Sequence, residues 1–140
     1  MMPNRPAKLA AALLSLAMLT ACGDDDSGNN SSSAYEKAEY IQITQAEAKS
    51  IIDSDEPYII LDVRTEEEFD SGHIEGAILI PHYDIDERAQ AELPDKDMTI
   101  LVYCRSGNRS KQASEVLASL GYTNVKEFGG INSWAYGIVR

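Results

Sequence analysis

Short apolar runs rich in β-branched and aromatic residues recur along the chain at 40–44, 58–63, 77–80, 99–104 and 124–128. Segments of helical period separate them, and this alternation predicts a parallel sheet with helices packed against it. Ile59-Ile60-Leu61 and Ile100-Leu101-Val102 are apolar without alternation, as strands covered on both faces are. The expected fold class is α/β, with five parallel strands.

Helix starts are written into the polar segments. Thr44 with Glu47, Thr65 with Glu68 and Asp84 with Glu87 each place a carboxylate three residues after an N-cap oxygen, the spacing of a capping box. Between Ser110 and Leu120, Ala113, Val116, Leu117 and Leu120 fall at i, i+3, i+4 and i+7, so this face is expected to pack on the sheet, with Gly121 ending the helix. Ligands of such sheets gather beyond the carboxyl ends of the strands. The loop after the fourth run is therefore the first place to look for chemistry.

The N-terminus follows a different pattern. Arg5 and Lys8 precede an apolar stretch at 9–19 that is too short to span a bilayer comfortably but suits the core of a secretory signal. Leu19, Thr20, Ala21 and Cys22 resemble a bacterial lipobox, in which the cysteine receives lipid before the signal is removed. Residues 23–33 are Gly, Asp, Ser and Asn alone, a composition that cannot bury enough apolar surface to order itself. The expected organisation is a lipoprotein signal peptide at 1–21, a tether from lipidated Cys22 at 22–34, and one domain at 35–140. The chain would then be exported and held by its lipid on the outer face of a cell membrane or on an outer membrane.

Charge narrows the partners. The 140 residues carry 23 acidic and 12 basic side chains, a net charge of −11. Loss of the signal would remove two basic and no acidic residues, leaving about −13. Such a surface argues against nucleic acid and against electrostatic adhesion to anionic lipid. Only two cysteines occur, so with Cys22 acylated a disulfide framework is excluded.

Cys104 stands at the end of the fourth apolar run and opens the loop Cys104, Arg105, Ser106, Gly107, Asn108, Arg109, which leads straight into a helix. Gly107 permits the backbone to curl so that successive N–H groups point inward, and the helix start adds unpaired donors, making a nest for an anion. A lone cysteine inside a strand is ordinarily a small buried apolar residue. Here, Arg105, Arg109 and Lys111 lie close by and no acid occurs between Met98 and Ser114, a setting that favours the thiolate over a free thiol of pKa about 8.5. Cys104 is accordingly the candidate nucleophile.

At these residues the chain resembles a single-domain rhodanese. Cys104 to Arg109 matches that family's six-residue active-site loop. Leu61-Asp62-Val63-Arg64, Glu68-Phe69, Gly72-His73-Ile74 and Gly76-Ala77 match its first signature, and Gly129-Gly130, Trp134 and Gly137 match its usual ending. The resemblance implies a three-layer α/β/α domain with the active-loop strand near the centre of the sheet. It also implies transfer of a sulfane sulfur, through a Cys104 persulfide, from a small anionic donor such as thiosulfate to a thiol or cyanide-like acceptor, or to a protein acceptor. No metal or organic cofactor is implied. Arg105, directly after the nucleophile, looks like the thiosulfate-using branch.

Asp62 and Arg64, at the end of the second run, are expected to form a structural ion pair and to support the loop at most indirectly. His73 is expected to hydrogen-bond backbone, His82 to be exposed, Phe128 and Trp134 to be core, and Tyr103 to point away from Cys104. Two other functions compete. A cysteine phosphatase or arsenate reductase also uses a Cys-loop-Arg cradle, but places the arginine one residue further on. A persulfide carrier or interaction module for one protein partner would keep the same loop.

Overall fold

The computed structural model describes residues 38–140. The signal peptide, Cys22 and the tether expected from the sequence lie outside the described residues. Five strands form one sheet: β1 (Ile41–Gln42), β2 (Tyr58–Asp62), β3 (Ile78–Leu79), β4 (Thr99–Cys104) and β5 (Val125–Gly130). All neighbours pair in parallel, in the order β1-β5-β4-β2-β3. The α/β class with five parallel strands is as expected, although the edge strands β1 and β3 are only two residues long.

Alternation along β4 divides the core in two. Ile100, Val102 and Cys104 belong to one buried cluster with Leu93, Ala113, Leu117 and Tyr122, while Leu101 and Tyr103 belong to another with Ala48, Ile60 and Phe128. Helix α1 (Gln45–Ile52) covers the second face, and α3 (Ile85–Glu92) and α4 (Asn108–Ser119) cover the first. The result is the three-layer arrangement.

Two of the three capping signals form complete capping boxes. Thr44 and Glu47 cap α1, and Thr65 and Glu68 cap α2 (Glu66–Ser71), with side chain and backbone satisfied reciprocally. The Asp84 signal does not form one. His82–Asp84 is a turn of 3-10 helix begun by Pro81, and Asp84 enters α3 with no cap hydrogen bond. Its carboxylate instead faces Arg88 at 3.5 Å.

Helix α4 starts two residues before the expected Ser110. Its buried positions are Ser110, Ala113, Ser114, Leu117 and Ala118, while Val116 and Leu120 are only partly buried. The face is rotated from the expected one, because two serines occupy places that an apolar count passes over. Hydrogen bonds from Tyr122 N–H to Leu117 and from Gly121 N–H to Ala118 close the helix end as a Schellman motif.

Candidate active site

The site forms where β4 runs out of the sheet into α4. The β4–β5 register slips between Val102 and Cys104, so that Cys104 lies opposite Gly130. A slip of this kind bends the strand and re-aims its last side chain. Gly107 then takes φ of +111°, a left-handed conformation natural to glycine, and serves as the N-cap of α4. The turn aims the Gly107 N–H back at Cys104 Sγ, 3.0 Å away.

Cys104 is 1% exposed. Burial works to raise its thiol, but the Ser110 hydroxyl and the N–H groups of Ser110, Gly107 and Ser106 favour the anion more strongly, and the net direction is down. The donors that act are those of the nest and the first turn of the helix. Ser110 Oγ lies 3.4 Å from the sulfur.

The basic residues are placed differently from one another. Arg105, Ser106, Asn108 and Lys111 are exposed on the loop and first helical turn. Arg109 is half-buried and forms a two-pronged ion pair with Glu68, at 2.7 and 2.9 Å. The Arg109 hydrogen bonds, helped by those of Thr65 against some burial, pull the Glu68 carboxyl down to about 2. Arg109 thus spends its planar fork on a carboxylate and ties the loop to α2. The stretch free of acids in sequence is not free of them in space.

A second carboxylate lies below the loop. Glu127 of β5 is 2% exposed, accepts from the Ser110 hydroxyl at 2.6 Å and from the Gly129 N–H at 2.8 Å. The sequence reading passed over Glu127, Ser110 and the Glu68 contact. The available signals were an acid inside the final apolar strand and a hydroxyl six positions after the cysteine.

Asp62 and Arg64 form a buried ion pair with two-pronged geometry. It lies on the far face of the sheet. Tyr103, which points away from Cys104 as expected, donates to Asp62 at 2.6 Å and accepts from the Ile74 N–H at 3.1 Å, and Arg64 also donates to the Gly72 carbonyl. Burial first, then the Asp62 charge, push the Tyr103 phenol up and keep it a donor. The pair therefore fixes the 72–74 turn, and among the described residues neither side chain hydrogen-bonds the 104–109 loop.

His73 binds the Phe69 carbonyl through Nδ1 at 2.9 Å and stacks on the Phe69 ring. His82 is not exposed: it is half-buried, its backbone N–H donates to the Val63 carbonyl, and its Nδ1 is buried without a partner among the described residues. Phe128 is core, and Trp134 is half-buried at the core's edge. Among the described residues no group of three or more His, Cys, Asp or Glu side chains is arranged to hold a metal ion.

Residues 44–136 match the family described as Rhodanese-like domain. The chain is 43% identical over 75 residues to the thiosulfate sulfurtransferase PspE of Escherichia coli, covering 54% of this chain and 72% of that protein. It is 35% identical over 113 residues to the putative sulfur carrier protein YrkF of Bacillus subtilis, covering 80% of this chain and 57% of that one. Among solved structures, a rhodanese with anions from E. coli superposes with a TM-score of 0.56 at 40% identity, covering 59% of this chain and 98% of its own. A rhodanese-related protein from Thermoplasma volcanium superposes with a TM-score of 0.61 at 35% identity, covering 71% and 98% respectively.

Proposed function

Since this chain belongs to the Rhodanese-like domain family, we propose that it carries a sulfane sulfur on Cys104 between a small anionic donor such as thiosulfate and a thiophilic acceptor. The Cys104 thiolate attacks the outer sulfur of the donor, the bond between the two donor sulfurs breaks, and sulfite leaves with its electron pair. The product is a Cys104 persulfide whose terminal sulfur is anionic. A thiol, cyanide or a protein nucleophile then takes that sulfur, and the thiolate returns.

The observation that carries this reading is the buried Cys104 sulfur held by the Gly107 N–H at 3.0 Å, in a ring of N–H donors that favours the anion. Arg109 is turned to Glu68, so the backbone and not that guanidinium is the principal anion holder. Arg105, Ser106 and Asn108 line the exposed rim where the donor would arrive. The test is a thiosulfate-to-cyanide sulfur-transfer assay run beside p-nitrophenyl phosphate hydrolysis and arsenate reduction. Sulfur transfer with negligible phosphatase and arsenate turnover is expected. Efficient phosphatase or arsenate turnover without sulfur transfer would reverse the assignment.

Similarity to the putative sulfur carrier YrkF supports a second reading, in which the persulfide is delivered to one protein partner. Slow turnover with small thiols and fast turnover with one purified protein acceptor would distinguish it. We further propose export and lipid anchoring through Cys22, on the resemblance of Leu19, Thr20, Ala21 and Cys22 to a lipobox. Metabolic fatty-acid labelling of the wild type, lost in Cys22→Ala, is the expected result. Unlabelled wild-type protein cut elsewhere refutes it.

A further inference from the structure

Glu127 has no cationic partner among the described residues. A buried carboxylate held only by neutral donors is costly, and the shortest of those donors, Ser110 Oγ at 2.6 Å, is the hydroxyl that also touches the nucleophile. A serine hydroxyl has one proton. Three oxygens compete for it, Glu127 Oε1 at 2.6 Å, the Gly107 carbonyl at 2.9 Å and the Gly129 carbonyl at 3.4 Å, and the Cys104 thiol, which donates to Ser110 Oγ at 3.4 Å, would become a fourth acceptor as a thiolate. The sulfur and the carboxylate cannot both have it.

We propose that Cys104 and Glu127 share one proton through Ser110, so that the thiolate forms by passing its proton inward to the buried carboxylate instead of out to solvent. In one arrangement the Cys104 S–H donates to Ser110 Oγ while Ser110 donates to ionised Glu127. In the other the S–H bond has broken, its proton sits on Ser110 Oγ and faces the sulfur, and the former Ser110 proton is bonded to Glu127 Oε1. One negative charge is present in both, and no proton leaves the protein. Ser110 touches the reacting atom, and Glu127 is a positioning residue that acts through it. The inference rests on Cys104 being the nucleophile.

Other ionisable groups face this chain of contacts. Lys111 on α4 lines the same open groove of about 540 Å³ as Glu127, together with Gln42 and Ser133. Tyr40, before β1, is raised by burial first and then by the charges of Glu115 and Glu127. Arg109 feels the charge of Cys104 from the α2 side, where Glu68 holds it. None of them bridges the sulfur and the carboxylate. Ser110 does.

The test follows the ultraviolet absorbance of the thiolate across pH in the full chain, with the Cys104→Ser titration subtracted to remove tyrosine ionisation. Two groups sharing a proton titrate in two macroscopic steps that belong to the pair. The wild-type thiolate signal is expected to rise in two steps with a plateau between them, and the Glu127→Gln and Ser110→Ala signals in one. A single wild-type step at the Glu127→Gln midpoint would show no coupling and overturn the proposal. A single wild-type step displaced from that of Glu127→Gln would reduce Glu127 to a fixed charge and overturn it equally. Two steps persisting in Ser110→Ala would remove Ser110 from the path. Should Glu127→Gln fail to fold, the wild-type and Ser110→Ala curves decide between these outcomes. No sulfur donor is needed, so a negative result here leaves sulfur transfer intact, and a two-step titration without persulfide formation would count against the function alone.

Discussion

At the residue scale, adjacent positions of β4 do opposite work. Cys104 faces α4 and its amide nest, and Tyr103 faces the Asp62–Arg64 pair. Because no other cysteine occurs among the described residues, a persulfide on Cys104 has no neighbouring thiol there to collapse onto. Incubation with thiosulfate should raise the intact mass by one sulfur atom, reversed by cyanide or a thiol. Cys104→Ser should gain nothing, transfer no sulfur and fold as the wild type, since it changes size little. Retained transfer in that variant would sink the mechanism. Arg105 is exposed beside the nest, where its charge would favour the doubly charged donor proposed above. Arg105→Gly should raise the thiosulfate KM by an amount worth roughly 1 to 3 kcal/mol, as for a charge-assisted hydrogen bond, and added salt should weaken the wild type more than the variant. Unchanged kinetics would mean that the backbone alone holds the donor.

The loop itself was legible in the sequence because its parts are consecutive: strand, cysteine, glycine, helix start. Its acidic neighbours were not. Glu68 is 41 positions from Arg109 and Glu127 is 17 from Ser110, and only the order of strands brings them together. Charge read along the chain therefore overstated the positive field around the thiol.

At the scale of elements, capping was read correctly where Thr opened a helix directly and failed where Pro81 imposed a 3-10 turn ahead of α3. The rotated face of α4 has a related cause, since its two buried serines, Ser110 bonded to the Gly107 carbonyl and Ser114 with a buried hydroxyl that has no partner among the described residues, leave no apolar signature. The contact between β5 and the active loop is also silent in the sequence. A Cβ added at Gly130 would collide with the carbonyl of Arg105 and the Cα of Ser106, backbone atoms that cannot swing aside. Gly130→Ala should therefore push the 105–106 segment out of place. Persulfide yield is expected to fall severely while the far-ultraviolet circular dichroism stays near that of the wild type. Full persulfide yield would show that the loop tolerates the shift.

At the scale of the molecule, the Glu68–Arg109 pair joins α2 to α4 across the site. Its consequence for acid stability has a definite sign. Glu68 is held at about 2, below the ordinary value of 4.5, so between these values the unfolded chain binds more protons. The stabilisation is complete above about pH 4.5 and is lost as pH falls towards 2. Both side chains are about a quarter exposed, so solvent screening reduces the effect to on the order of 1 to 2 kcal/mol. Thermal melts across this window should show a decline that is shallower in Glu68→Gln. Parallel curves for the two proteins would mean that the pair contributes nothing measurable.

The strand order also sets when the domain can exist. Gln42 of β1 pairs with Glu127 of β5, 85 positions later, and β4 has β5 as one of its two neighbours. Closing loops of that length costs chain entropy before the pairing returns anything, which makes such topologies slow to fold. A nascent or truncated chain that stops before Val125 leaves β1 unpaired and presents β4, the strand bearing Cys104, as an open edge. It also lacks Gly129 and Gly130, the floor against which the loop curls. The proposed nucleophile would thus be assembled late, by the last of the described strands. Until that strand docks, the cysteine is an ordinary thiol on an unfinished sheet.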